Sequence, residues 1–303
     1  MPAQCMPGKD CFVQQFADMD PGPAVIDPFC GSASYEGHDG IDLRILSMAD
    51  VERGVPVIAM ADGTVGNLRD GEPDHLMLTA ADQQAVGDKE CGNGVIIDQG
   101  GGLEVQYCHM RQGSIAVKTG DKVKRGQPIG YVGASGAAAF PHVHITVRRD
   151  GAALDPMTGH ALSGGCLKEG EQAKPLFAPD VAASLGKGGP QLLGFGLAGS
   201  PVDYDALVVS GAPPAATAAS ANLVGWGWFI NLRKGDRIYI SLIGPDGNVF
   251  AESMSEELDR NKAAYSSFAG KRGTPKPGRY ELTIKVLENM RPVLSQTTDI
   301  TIE

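Results

Sequence analysis

The sequence predicts a mainly β protein in two parts, on three observations. Short apolar, β-branched runs recur at close intervals, each closed by a Gly, Asp-Gly or Pro-Gly signal. Glycine is abundant, at 41 of 303 residues, which favours turns and short strands over long helices. All six histidines and all six cysteines lie before residue 170, so metal and thiol chemistry belongs to the first part alone.

Residues 1–36 hold Pro-Gly-Pro, Asp-Pro and three cysteines, and read as an irregular arm tethered by disulfides. From Gly37 to about Val147 the pattern is β throughout. Runs at 55–59, 94–98, 103–107 and 127–132 alternate with turns at Asp62-Gly63, Gly100-Gly101-Gly102, Gly120-Asp121 and Gly136. Such spacing predicts antiparallel sheet, and this part is taken as 37–162. Residues 163–190 are rich in Gly, Lys, Pro and Ala and read as a linker with one short helix near 180–185. Runs at 206–209, 223–231, 236–242, 278–286 and 293–302 then predict an immunoglobulin-like β-sandwich over 191–303, an accessory module for binding or positioning.

The net charge of −10 argues against nucleic acid or a polybasic membrane surface as partner. No stretch is long and apolar enough to span a bilayer, and the first residues show no signal-peptide run. The six cysteines include no CxxC pair, which leaves disulfides in an oxidising compartment as the better account. The chain is therefore expected to be an exported protein of the periplasm or cell envelope, its signal peptide removed or replaced by Met1. Cys91 and Cys108 flank a predicted hairpin and are the preferred pair; Cys108, beside His109, is the alternative soft metal ligand.

The chemistry centres on Ala139-Phe140-Pro141-His142-Val143-His144-Ile145-Thr146-Val147, which reads as a strand. Strand side chains alternate, so His142 and His144 share one face. A second pair stands in Gly37-His38-Asp39-Gly40-Ile41-Asp42, where His38 and Asp42 fall on one face if the run is extended, with Gly40 letting the backbone bulge between them. Two histidines and a carboxylate make a zinc set of three protein ligands with one open position for water. Imidazoles are then left over for proton transfer, and His109, in Tyr107-Cys108-His109-Met110, is the next candidate.

Several separated blocks together resemble the M23, or lysostaphin/LytM-type, zinc metallopeptidases, which cut peptide cross-links of bacterial peptidoglycan. These blocks are Gly37-His38-Asp39-Gly40-Ile41-Asp42, the run from Val55 to Val65, Gly92-Asn93-Gly94 leading on to Tyr107-Cys108-His109-Met110, Gly120-Asp121-Lys122-Val123 to Gly130, and Gly133-Ala134-Ser135-Gly136 leading into Pro141-His142-Val143-His144. They fall in the family's order over residues 37 to about 147. The resemblance implies a LytM-type antiparallel core, one Zn²⁺ per chain held by His38, Asp42 and His144, and His109 and His142 as non-ligand catalytic residues. One of these two takes the proton of water and the other donates to the oxyanion. Peptidoglycan stem peptides are the implied substrate, with a regulatory protein as a further partner through the C-terminal part. Ala-Phe-Pro replaces the usual Thr-Gly-Pro before the HxH pair, and Ile145-Thr146 replaces Phe-Glu after it. A rival is a metal-free relative that binds and activates another wall hydrolase; members of that kind lose the zinc ligands, and all three are present here.

Other signals carry less. Gly194-Phe195-Gly196-Leu197-Ala198-Gly199 fits GxGxxG, but Ser200-Pro201 follows where a helix is required, so it reads as a loop. Ser135 reads as a turn residue, and His75 and His160 as surface residues of polar loops. Trp226 and Trp228 share one side of a strand, as sandwich packing or a sugar-stacking face.

Overall fold

The computed structural model describes residues 1–303 and divides into two compact units, Met1–Gly188 and Gly189–Glu303. In the first unit the strands are β1 (Cys11–Gln15), β2 (Ile41–Ile45), β3 (Pro56–Ile58), β4 (Gly63–Arg69), β5 (Asn93–Gly100), β6 (Leu103–Met110), β7 (Lys122–Val123), β8 (Pro128–Tyr131), β9 (His142–Arg149) and β10 (Ala152–Leu154). The helices are α1 (Met48–Arg53), α2 (Ala80–Val86) and α3 (Pro179–Leu185). One antiparallel sheet runs β1-β2-β9-β6-β5-β4-β7, with β10 paired to β9, and β3 and β8 form a small second sheet. The central strands are alternately apolar, and Ile41, Leu43, Val105, Tyr107, Val143, Ile145 and Val147 are buried together in one core.

Two readings of this unit change. The segment 1–36 is not irregular throughout: β1 pairs with β2 at the sheet edge, and all five of its residues are buried. Residues 37–147 are not β throughout, because α1 and α2 interrupt them. Both helices are short and begin at Ser47 and Thr79, whose capping boxes close on Asp50 and Asp82. Helices this short present too few residues to display a 3.6 period. The helix expected near 180–185 is α3, with Pro at its start.

Three disulfides cross-link this unit: Cys5–Cys11, Cys30–Cys166 and Cys91–Cys108. No free cysteine remains as a metal ligand.

The second unit comprises β11 (Gln191–Ala198), α4 (Tyr204–Ser210), β12 (Asn222–Leu232), β13 (Arg237–Ile243), β14 (Val249–Met254), β15 (Lys262–Arg272), β16 (Gly278–Glu288) and β17 (Arg291–Ile302). A β11-β12-β15 sheet and a β14-β13-β16-β17 sheet pack over a shared core that includes Leu223, Phe229, Ile240, Leu282 and Ile284. The run at 206–209, expected as a strand, is helix α4. Asp203 caps its start by accepting from the Ala206 amide, and Gly211 ends it in the left-handed conformation. The GxGxxG run, expected as a loop, is strand β11. Its glycines serve packing, since a Cβ on Gly194 or Gly196 would stand 3.3–3.4 Å from the Trp226 indole. Trp226 and Trp228 are both buried, so the sandwich uses them for packing and not for stacking on a sugar.

No helix is long and apolar enough to cross a membrane.

Candidate metal centre

β2 and β9 are antiparallel neighbours in a register that makes Asp42 and His144 direct Cα partners and pairs Arg44 with His142. Alternation then carries both histidines of the HxH pair to the face that Asp42 occupies. His38 enters from the loop before β2, so no strand spacing places it. Its backbone accepts from Asp18 N, and its Nδ1 donates to Phe16 O at 2.6 Å. Gly40 acts by close approach and not as a bulge: a Cβ there would meet Ile145 O at 2.2 Å and His144 Cε1 at 2.9 Å.

His38 Nε2, Asp42 Oδ1 and His144 Nδ1 converge. The separations are 3.1 Å for His38–Asp42, 2.8 Å for His144–Asp42 and 3.1 Å for His38–His144. These three residues form a group able to hold a metal ion. A tetrahedral zinc with bonds of about 2.0–2.1 Å spaces its ligands by about 3.3 Å, so the triangle fits with a few tenths of an ångström of opening. The proton assignments fit as well. His38 Nδ1 faces a carbonyl, which only accepts, so its proton lies there and Nε2 is left bare toward the cluster.

The two further histidines stand beside the triangle. The His109 ring centroid is 4.4 Å from that of His142 and 6.0 Å from that of His144, and His142 Nε2 is 3.5 Å from Asp42 Oδ1. His109 Nδ1 donates to Ser135 O and His142 Nδ1 to Phe140 O, each at 2.8 Å. Both rings therefore carry a bare Nε2 when neutral. His109 sits at the end of β6 with φ of +59°, a left-handed conformation costly for a side-chain residue. Its amide donates to Cys91 O at 2.8 Å, so the Cys91–Cys108 cross-link is built into the support of that turn.

Charge follows burial and partners. Burial would raise the Asp42 carboxyl, but His38, His142 and His144 outweigh it and hold it well below the usual carboxylate range. Burial pushes His109 well below the usual imidazole value, helped by the charges of His142 and His144. Burial also lowers His142, against the opposing charge of Asp42. Burial alone would lower His144 too, but hydrogen bonds to Asp39 and Asp42 raise it to about 9. A cation bound at His144 Nδ1 would have to displace that proton.

The triangle borders a cleft of about 380 Å³ lined by Tyr35, Asp39, Glu90, Gln106, His109, His144, Thr146 and Arg148 among others. Several contacts around the centre were not read from the sequence. Tyr35 stacks on His38 with centroids 4.4 Å apart. The Arg44 guanidinium lies over Phe140, whose ring is 4.6 Å from that of His142. Asp39 and Thr146 meet His144 Nε2, and Arg148 holds Asp39. Asp39 adjoins His38 in the quoted motif, and Thr146 and Arg148 follow His144 at strand spacing, so alternation alone placed them on its face. His75 is exposed and bonds Asp82, and His160 is half-buried near Glu171. Ser135, expected in a turn, is buried in an antiparallel bridge with Asp74, and its carbonyl holds His109.

Comparison with known proteins gives the same segment. Residues 36–156 match the model of peptidase family M23. This segment belongs to peptidase family M23. A Haemophilus influenzae protein described as an uncharacterized metalloprotease is 31% identical over 121 residues, 40% of this chain. The match spans about a fifth of that relative's length, 20%. Among solved structures, the M23 segment is similar to a mutant catalytic domain of the prophage-encoded M23 protein EnpA from Enterococcus faecalis. That match has 26% identity over 51% of this chain and 92% of the other, with a TM-score of 0.35. It is also similar to the catalytic domain of lysostaphin from Staphylococcus simulans, at 24% identity over 47% and 86% of the two chains and a TM-score of 0.31.

Proposed function

We propose that this chain is a zinc-dependent endopeptidase that hydrolyses peptide cross-links of bacterial peptidoglycan. The observation that carries the reading is the convergence of His38, Asp42 and His144 at 2.8–3.1 Å beside two neutral histidines in an open cleft. The donor set of two imidazoles and one carboxylate is that of catalytic zinc sites. Zinc bound there supplies Lewis-acid chemistry, activating water and polarising a peptide carbonyl.

The chain's own residues do the rest. His109 or His142 receives the proton of the attacking water at its bare Nε2 and returns one to the leaving amine. Their Nδ1 protons are committed to Ser135 and Phe140 carbonyls, so neither neutral ring can donate from Nε2. Only a ring that has gained a proton can bond the developing oxyanion. The expected split, one neutral acceptor and one donor, is thereby a sequence in time and not a fixed property of two neutral rings.

The presence of all three ligands supports the enzyme over the metal-free activator. Three disulfides support an oxidising compartment, the periplasm or envelope. The second unit is read as the accessory module, the face through which a regulatory protein would dock. The test is digestion of purified sacculi with product analysis by mass. Cross-linked muropeptides should fall and monomers rise, a chelator should stop this, and added zinc should restore it. Sacculi left intact by zinc-loaded protein would refute the reading.

A further inference from the structure

We propose that Asp39, acting with Thr146 and Arg148, is the positioning residue that sets the metal-binding form of His144. The inference rests on reading His38, Asp42 and His144 as the zinc site.

His144 is unlike the other three histidines of the centre. His38, His109 and His142 each donate from Nδ1 to a backbone carbonyl, of Phe16, Ser135 and Phe140. His144 instead turns Nδ1 into the cluster, 2.8 Å from Asp42 Oδ1 and 3.1 Å from His38 Nε2. A neutral imidazole holds one proton, so a bare Nδ1 requires the proton on Nε2. Side chains alone receive it: Thr146 Oγ1 at 2.8 Å and Asp39 Oδ1 at 3.2 Å.

The donation then runs one way. Thr146 Oγ1 can accept from Nε2–H because its own hydrogen goes to Asp39 Oδ1, 3.1 Å away. Asp39 Oδ2 accepts from Arg148 at 2.8 Å, and Arg148 also donates to Gln106 Oε1 at 2.7 Å. A carboxylate only accepts, so the bonds from His144, Thr146 and Arg148 all point toward Asp39. An amide at 39 offers one acceptor for these several donors. Thr146 stands where the family resemblance expects Glu, so β9 supplies no carboxylate at that position, and Asp39 brings one across from the loop before β2. The alternative role is a surface ion pair with Arg148, with side chains 42% and 24% exposed, and such pairs are worth little. That role would leave His144 unaffected.

Outer partners of ligand histidines change metal affinity by about 10–100-fold. The experiment measures the zinc dissociation constant of the full chain by competition with a chromophoric chelator, with the absorption spectrum of the cobalt-substituted protein as a second readout. Asp39→Asn should weaken zinc by about 10–100-fold and shift the cobalt spectrum, with the melting temperature of the metal-free protein unchanged. Thr146→Val should weaken zinc in the same direction, and Asp39→Glu, which keeps the carboxylate, should bind as wild type does. Wild-type affinity in Asp39→Asn would overturn the inference while leaving the zinc site in place. Failure of the wild-type chain to bind zinc would instead overturn the site itself, and this inference with it.

Discussion

His144 Nδ1 lies 2.8 Å from Asp42 Oδ1, across a β2–β9 ladder in which the two residues are direct partners. A rigid sheet thus supplies two corners of the candidate metal triangle, and the third corner, His38, is delivered by a loop. Replacing Asp42 with Ala removes one corner and leaves two buried imidazoles without their counter-charge. Zinc affinity of the variant should fall by more than the about 10–100-fold typical of an outer-shell loss. Chelator competition measures it.

His109→Ala and His142→Ala should separate chemistry from binding. Neither ring is a corner of the triangle, so zinc stoichiometry should stay at the wild-type value. Turnover on sacculi should drop by about 10²–10⁴-fold, the usual contribution of a positioned acid or base. A fully active variant would remove that histidine from the mechanism.

Gly40→Ala tests the close approach. The added methyl would meet Ile145 O at 2.2 Å and the His144 ring at 2.9 Å, and β2 and β9 must part to admit it. Overpacking of this kind costs about 1–3 kcal/mol. Because the two strands carry the ligands, zinc affinity should fall together with the denaturation midpoint. Chemical denaturation and chelator competition on the same sample check both.

Removing Cys91–Cys108 should loosen the turn that holds His109. The cross-link spans 17 residues, and a loop near that length is worth about 3 kcal/mol. The Cys91→Ala/Cys108→Ala double variant should lose about that much stability, keep its zinc, and turn over more slowly. The left-handed turn at His109 then relies on hydrogen bonds alone.

Asp155 gives a pH test outside the His38–Asp42–His144 group. It is fully buried, its Oδ2 accepts from the Thr158 amide and hydroxyl, and its Oδ1 has no partner. Burial raises its carboxyl above the ordinary value, against those hydrogen bonds. A folded-state pKa above the unfolded one means that the native state holds the proton longer. The stabilisation is complete below the unfolded value and is lost as pH rises through the folded one. The stability of wild type relative to Asp155→Asn should therefore fall as pH climbs just above the ordinary carboxylate range of about 3.9, then level off. Urea unfolding across that window measures the difference.

Much of the centre was legible in order of residues. The HxH spacing put His142 and His144 on one strand face, because strand periodicity is local and depends only on alternation, whereas His38, Asp42 and His109 were picked out by motif and block order. The same locality explains the failures. β1 was hidden in a Pro- and Cys-rich arm, since its burial comes from pairing with β2 and not from its own pattern. Residues 206–209 carry β-branched valines, yet the cap at Asp203 and the stop at Gly211 decide for helix.

What the sequence by itself determined was the reactive inventory: which side chains exist, which share a strand face, and that all of them precede residue 170. What only the tertiary structure decided was their protonation and bite. Phe16 O on His38, Ser135 O on His109 and Asp39 on His144 come from separate segments of the chain, and only Thr146 reaches His144 from the same strand. A tautomer is set by the acceptor that lies within about 3 Å, and no spacing along the chain specifies which acceptor that is.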